Sequence, residues 1–310
     1  MNGKGDGDRI GILLLQESHL TEDEATVIQN NHKRLRIFTS PTPDRETSAG
    51  GVTFVVNTEL VATSDATFKT IIPGRAATLT VPWYGTTTLT VMNVYAPATT
   101  DQEKAAFYKE LVSKFETDTS LHRPTYLAGD FNMVEAGIDR SSGRDDAKTV
   151  VDALWDLKVI LGVQDAFRLL HPDARELTWR SLADPQRTWA RLDRGYIQTT
   201  LAPYVHSARV QTNGVRSDHR MFTIEVEGRD APFIGKGRWS MPTDLLKNPK
   251  MLAEIETLGM QAIRELPKPE DRTDERNAQL ILSNFKAQVK TRLREYDKIM
   301  KPNSKKRTKS

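Results

Sequence analysis

From residue 11 to about residue 227, short apolar runs alternate with turns and a few helical stretches. Residues 12–15, 34–38, 52–56, 77–81 and 89–95 read as strands, as do 126–128, 178–181, 192–197, 208–211 and 222–226. Their β-branched and aromatic side chains suit a pleated, half-buried surface. Helical spacing falls at 21–31, 101–115 and 145–161, with Thr21 and Asp101 placed as N-caps for the first two. Several strand runs are apolar at nearly every position, as in Ile12-Leu13-Leu14-Leu15, which predicts cover on both faces of the sheet. Residues 140–146, with Ser141, Ser142 and Gly143, read as a surface loop. The pattern predicts an α/β body of two packed sheets with helices outside them.

Near Gly228 the β pattern stops. Gly235, Gly237 and Pro242 punctuate a connector, and helical signals follow, first over 245–266. Further on, Leu282, Phe285, Val289, Leu293, Tyr296 and Ile299 recur at three- and four-residue spacing, one apolar stripe along a helix of several turns. The stripe needs a surface to pack on, and packing within this chain is the simpler expectation over a separate partner. The chain divides on this reading into a body of residues 1–228 and a helical connector of residues 229–310. The final Lys305-Lys306-Arg307-Thr308-Lys309 is expected to be disordered, with nuclear localisation or nucleic-acid contact as the alternative.

Composition narrows the class. With 310 residues, 38% of them hydrophobic, the chain can bury a substantial core. No apolar run approaches the roughly 18 to 20 residues that cross a bilayer, and the N-terminus lacks a basic segment followed by an apolar one. An intracellular protein, neither secreted nor membrane-spanning, is expected. There is no cysteine, which excludes disulfides, a thiol nucleophile and thiolate ligands, so any metal must sit on oxygen or imidazole. Net charge is only +3, but residues 229–310 hold 19 Lys and Arg against 11 Asp and Glu, leaving 25 against 30 in the body. An acidic body with a basic appendage suits a cation site joined to a segment that meets phosphate, although a charge run is also what a solvated helix face looks like.

Five polar clusters follow β-rich runs: Gln16-Glu17, Asn93 with Tyr95, Asp130 with Asn132, Asp193, and Ser217-Asp218-His219. Polar groups at strand ends converge on a common rim in layered sheet folds, so distant positions can build one site. Residues two apart on a strand share a face, so Asp130 and Asn132 can aim at one atom. Carboxylate and amide oxygens suit a hard cation such as Mg²⁺, with Glu17 as first ligand. Asp130 could orient or deprotonate a water, and His219 could donate to a phosphate, its imidazole held by Asp193; Tyr95 offers a phenolic donor. Each residue also has a plainer role: a first solvated position for Glu17, a half-buried aromatic for Tyr95, a structural ion pair for Asp193. A serine hydrolase is disfavoured, since no Gly-x-Ser-x-Gly elbow is present.

The ordered motifs Leu15-Gln16-Glu17, Asn93-Val94-Tyr95-Ala96-Pro97, Gly129-Asp130-Phe131-Asn132, Arg191-Leu192-Asp193-Arg194 and Ser217-Asp218-His219 resemble the endonuclease/exonuclease/phosphatase superfamily, DNase I and the apurinic/apyrimidinic endonucleases included. The resemblance runs from Ile10 to about Val226. It implies a four-layered α/β sandwich and a Mg²⁺ or Mn²⁺ cofactor. By the same resemblance Glu17 is the metal ligand, Tyr95 contacts phosphate, Asp130 and Asn132 orient the water, and Asp193 with His219 form the aspartate–histidine couple. Asp218 matches the last acidic residue, with a catalytic role or a place among the metal ligands. A narrower resemblance, in Leu177-Thr178-Trp179-Arg180 and in Gly235-Lys236-Gly237-Arg238-Trp239 followed by Leu245-Leu246, is to endonuclease domains of LINE-type non-LTR retrotransposons. There the connector leads to a reverse transcriptase, and the resemblance implies that such a partner domain is expected to be lost or separate.

At the N-terminus Asn2-Gly3 matches only the end of the family's first motif, which makes Asn2 a weak further metal ligand. The first strand and helix of that pattern are expected to be truncated. The function implied is a metal-dependent phosphodiesterase that nicks DNA. The alternatives are an impaired remnant that only binds nucleic acid and a phosphatase of the same superfamily acting on small molecules.

Overall fold

The computed structural model describes residues 9–83, 87–183, 188–212, 214–215, 217–227 and 248–307, with side chains as far as residue 296. It divides into two units, Met1–Pro232 and Phe233–Ser310.

The first unit is built in layers. Strand β1 (Ile12–Gln16), β2 (Leu35–Ser40) and β3 (Val52–Asn57) form an antiparallel sheet in the order β1-β3-β2. Helix α1 (Glu22–Asn31) covers its outer face, where Ala25 and Ile28 meet Leu13, Ile37 and Val55. The opposite face carries Val52, Phe54 and Val56, the alternate residues of β3, and these pack on Ala77, Leu79, Val81 and Val91 of a second sheet. That second sheet has the order β4-β5-β6-β7-β11-β8. Its strands are β4 (Thr67–Ile72), β5 (Ala76–Pro82), β6 (Thr88–Tyr95), β7 (Tyr126–Asp130), β8 (Val163–Asp165) and β11 (Asp193–Gln198). Its far face is closed by α2 (Asp101–Thr117) and α3 (Lys148–Leu161), through Tyr108, Leu111, Leu154 and Leu157 against Met92, Val94 and Leu127. Fully burying each such side chain is worth roughly 1.5–3 kcal/mol. Helix, three-stranded sheet, six-stranded sheet and helix pair make four layers, as the sequence predicts.

The remaining pieces of this unit are α4 (Ala166–Leu170), the short pair β9 (Trp179–Arg180) and β10 (Trp189–Ala190), and the hairpin β12 (Val205–Gln211) with β13 (Met221–Val226). Several boundaries differ from the pattern-based reading. Helix α2 is capped by Thr100, whose hydroxyl accepts from Glu103 N while Glu103 bonds back, so Asp101 is the first helical residue and not the cap. Helix α3 starts at Lys148, later than expected, because the Asp146 carboxylate is already engaged by Val134 N at 2.6 Å and by Arg140 at 2.9 Å. Those bonds also pin the 140–146 loop. Thr21 does cap α1, in a box with Glu24. Strands β4, β8 and β10 and helix α4 are additions to the expected set.

In the second unit, α5 (Pro249–Arg264) is capped by Asn248, and α6 spans Ala278–Arg307. The apolar stripe of α6 is used within this unit: Val289, Leu293 and Tyr296 pack on Met251 and Ile255 of α5. The expectation of disorder from residue 305 is corrected as far as Arg307, where α6 ends. The motifs at 235–239 and at Leu245-Leu246 lie outside the described residues, as do Asn2 and Gly3. Among the described residues no helix is long and apolar enough to cross a membrane.

Candidate active site

Three neighbouring strands of the six-stranded sheet fix the centre of the site through their pairing. Parallel β6 and β7 set Tyr95 opposite Asp130, and antiparallel β7 and β11 set Asp193 opposite Asp130. Tyr95, Asp130 and Asp193 therefore stand in one row across the sheet, at the ends of their strands. The row depends on Gly129, which has φ +142°, and a Cβ there would overlap the carbonyl oxygen of Val94 on β6. The glycine lets the two strands approach at the point where the acidic group emerges.

Around this row the other polar residues assemble. Tyr95 donates its phenol to the Glu17 carboxylate, which sits exposed just beyond β1 in a left-handed backbone conformation, φ +48°. Glu17 is held at that place by the preceding residues: Gln16 donates to Asn93 Oδ1 at 2.6 Å, and Asn93, wholly buried, donates to Leu15 O and Thr53 O. Asn132, also at positive φ, gives its backbone amide to Asp130 Oδ1 at 2.9 Å and its side-chain amide to Asp130 Oδ2 at 3.1 Å and to Ala96 O. His219 Nδ1 lies 2.9 Å from Asp193 Oδ2. The Asp218 carboxylate turns the other way and accepts from Trp179 Nε1 at 3.1 Å.

Electrostatics follow from burial. Asp130 is 5% exposed, and burial together with the nearby Asp193 pushes its carboxyl up to about 7. For His219 burial acts downward, but the hydrogen bond and charge of Asp193 outweigh it and hold the imidazole at about 9. Burial and the Glu17 carboxylate raise the Tyr95 phenol further above its ordinary range, so it stays a proton donor at any physiological pH. The Arg75 guanidinium lies over the Tyr95 ring, 4.5 Å from its centroid.

Two supports, Thr178 and Arg191, stand within motifs quoted above but had no role assigned to them. Thr178, 1% exposed, accepts from both Leu192 N and Asp193 N, at 3.0 and 2.9 Å, and so fixes the start of β11. Behind it Arg191 bridges Asp139, at 2.7 and 2.8 Å, and Asp165, at 2.7 Å, while Arg168 also reaches Asp139. A single Thr or Arg carries no spacing signal, so only the folded arrangement reveals these roles.

The structure thus brings Glu17, Tyr95, Asp130, Asn132, Asp193 and His219 into one connected group, with Asp218 beside it through Trp179. Asn2 lies outside the described residues. Among the described residues no set of three or more Asp, Glu and His side chains converges as a prebuilt metal cage. Glu17 is engaged by Tyr95, and the Asp218 carboxylate accepts from Trp179.

No family model matches the chain. No curated protein sequence matches it. Solved structures do. The chain is similar to the 3′ phosphatase NExo from Neisseria bound to a product DNA hairpin, with 21% identity over 70% of this chain and 89% of that one and a TM-score of 0.54. It is similar to the AP endonuclease LMAP from Leishmania major, with 18% identity, 69% and 77% coverage and a TM-score of 0.57. An AP endonuclease from Archaeoglobus fulgidus gives 17% identity, 70% and 89% coverage and a TM-score of 0.57. At these identities the likeness is one of fold, and the chain has the DNase I-like α/β sandwich on which AP endonucleases and related exonucleases are built.

Proposed function

We propose that the chain hydrolyses phosphodiesters and that its substrate is DNA. The observation that carries this is the row Tyr95–Asp130–Asp193 with His219 bonded to Asp193. A carboxylate poised near neutrality beside an imidazolium is the pairing needed to take a proton from water while offering one to an anionic ester. Asp130, oriented by Asn132, takes the proton as the water oxygen attacks phosphorus and one P–O ester bond breaks, the departing alkoxide oxygen taking a proton from solvent water to leave as the alcohol. His219, charged below about pH 9, donates toward a non-bridging oxygen, and Asp193 holds it in place. Tyr95 gives a second donor. The DNA acted on by the fold's relatives, as in the hairpin bound by NExo, supports the substrate class, and the motif resemblance in Leu177-Thr178-Trp179-Arg180 supports an origin in a LINE-type element.

A divalent ion fits this donor set. Glu17 presents one exposed carboxylate, and Mg²⁺ prefers one or two carboxylates with retained waters and substrate phosphate oxygens over an all-protein cage. Glu17 would hold it, and when bound it would neutralise charge on the phosphate.

Purified protein incubated with supercoiled plasmid should convert it to the nicked form with Mg²⁺ and not with EDTA. Asp130→Ala and His219→Ala should each lower the rate by at least about a hundredfold while binding to DNA persists. Metal-dependent nicking by either variant at the wild-type rate would remove the assigned roles, and release of phosphate from an inositol phosphate without plasmid nicking would favour the small-molecule reading. A second reading, binding without cleavage, is favoured by the half-open packing of β1, in which Leu15 stays 36% exposed.

A further inference from the structure

One peptide group, between Phe131 and Asn132, links the far helix layer to the centre of the site. Its N–H is the Asn132 amide that donates to Asp130 Oδ1 at 2.9 Å. Its C=O accepts, at 2.6 Å, from the phenol of Tyr108 on α2. The bond is trans, so its C=O and N–H lie in one plane and point in opposite directions. A donor fixed at the carbonyl end therefore aims the amide end. Tyr108 and Asp130 grip the two ends of a single rigid group.

The surroundings hold this arrangement. Tyr108 and Phe131 are both wholly buried, and the Phe107 ring lies edge-on to Tyr108 at 5.4 Å. Burial raises the Tyr108 phenol further above its ordinary range, so it remains a donor through neutral pH. On the flanks, Phe131 N donates to Leu192 O at 3.0 Å, Met133 O accepts from Arg194, and Val134 N donates to Asp146 at 2.6 Å. Asn132 itself stands at φ +47°. A non-glycine residue keeps such a conformation where its neighbours over-determine it, and the Tyr108 bond acts on the peptide that leads into it.

We propose that Tyr108 is a positioning residue: by fixing the Phe131–Asn132 peptide it keeps the Asn132 amide on Asp130 and so sets the orientation of the carboxylate that takes the proton from water. It touches neither water nor substrate and acts through Asn132. The effect on turnover rests on the hydrolytic reading above, whereas the hold on the carboxylate does not. A carboxylate that loses a donor to its charged form becomes a weaker acid. The other groups that face Asp130, namely Asp193, His219, Glu17 and Tyr95, are left in place when one oxygen is removed from α2.

The test compares the full chain with Tyr108→Phe, which removes the hydroxyl alone, and with Phe115→Leu, which thins the packing of the same helix away from that peptide. In Tyr108→Phe the Asn132 amide should exchange about tenfold faster relative to the amides of β7. In Phe115→Leu they should change together. The Asp130 carboxyl, followed by its carbon shift against pH, should become about threefold or more weaker as an acid in Tyr108→Phe and stay unchanged in Phe115→Leu. For metal-dependent nicking, kcat should fall about tenfold in Tyr108→Phe with KM unchanged. Asn132 exchange that moves only in step with β7, or an Asp130 titration that does not shift, would overturn the proposal and leave Tyr108 a packing role. So would a kcat within twofold of wild type, or an equal fall in Phe115→Leu. A wild type that does not nick DNA would overturn the hydrolytic reading instead, and the exchange and titration would still decide what Tyr108 does.

Discussion

At the residue scale the site is a balance between burial and pairing. Asp130 and His219 both hold protons more tightly than they would in an unfolded chain, the first because burial opposes its charge and the second because Asp193 favours it. The stabilisation from Asp130 is complete below its ordinary value of 3.8 and is lost as pH rises through about 7. That from His219 is complete below 6.5 and is lost as pH rises through about 9. Both contributions therefore fall in the same direction. Urea unfolding should show stability declining from pH 6.5 to 9.5 by about 1–3 kcal/mol from the imidazole alone, and Asp193→Asn should flatten that upper window. Stability that rises over this range in the wild type would contradict the pairing.

Of these groups, Glu17, Tyr95, Asp130 and Asn132 were readable as candidates because they stand where β-rich runs end, and Asp193 and His219 through the motifs Arg191-Leu192-Asp193-Arg194 and Ser217-Asp218-His219. Thr178 was not, since its work is done by one oxygen accepting two backbone amides, a role that any buried hydroxyl could fill. Thr178→Val would leave Leu192 N and Asp193 N without a partner at a site 1% exposed. It should lower stability by about 1–3 kcal/mol and lower the turnover of plasmid nicking with little change in DNA affinity, because Asp193 loses its fixed position. An unchanged turnover would assign Thr178 to stability alone.

At the scale of elements, periodicity located the long strands and helices but not those whose identity is set by neighbours. β4, Thr67 to Ile72, holds Lys69 within an edge strand and is fixed by its pairing with β5. β8 and α4 are three and five residues long, too short to show a period. What anchors that region is charge: Arg191, 1% exposed, ties the 3-10 turn bearing Asp139 to Asp165, the residue that ends β8 and caps α4. Arg191→Met leaves Asp165 without its cation and Asp139 with Arg168 alone and should cost about 3–5 kcal/mol, whereas combining it with Asp139→Asn and Asp165→Asn, which keeps an acceptor at the α4 cap, should cost less. Thermal unfolding of the two variants measures the difference, and equal losses would mean that packing, and not charge, holds the elements together.

For the molecule as a whole, charge is divided between the units. Residues 229–310 carry the basic excess and the body the acidic one, so an encounter with DNA is expected to begin at the basic segment. Deleting residues 233–310 should reduce the slope of log affinity against log salt by about one for each phosphate that is no longer neutralised, while the metal-dependent nicking rate at saturating DNA stays within about threefold. An unchanged slope, measured by fluorescence anisotropy, would place the phosphate-binding cations on the body instead. Layering was legible from the doubly apolar strands. The open side of β1 was not, because Ile12-Leu13-Leu14-Leu15 reads as a strand enclosed on both faces.

The row Tyr95–Asp130–Asp193 is set by ladder register, and this governs how the activity can be lost. A one-residue slip of any of the three strands would turn its group to the far side of the sheet, so there is no graded misalignment for mild heating or denaturant to exploit. Inactivation and loss of the six-stranded sheet should then fall on a single curve, and the catalyst should fail as a switch does, without first becoming sluggish.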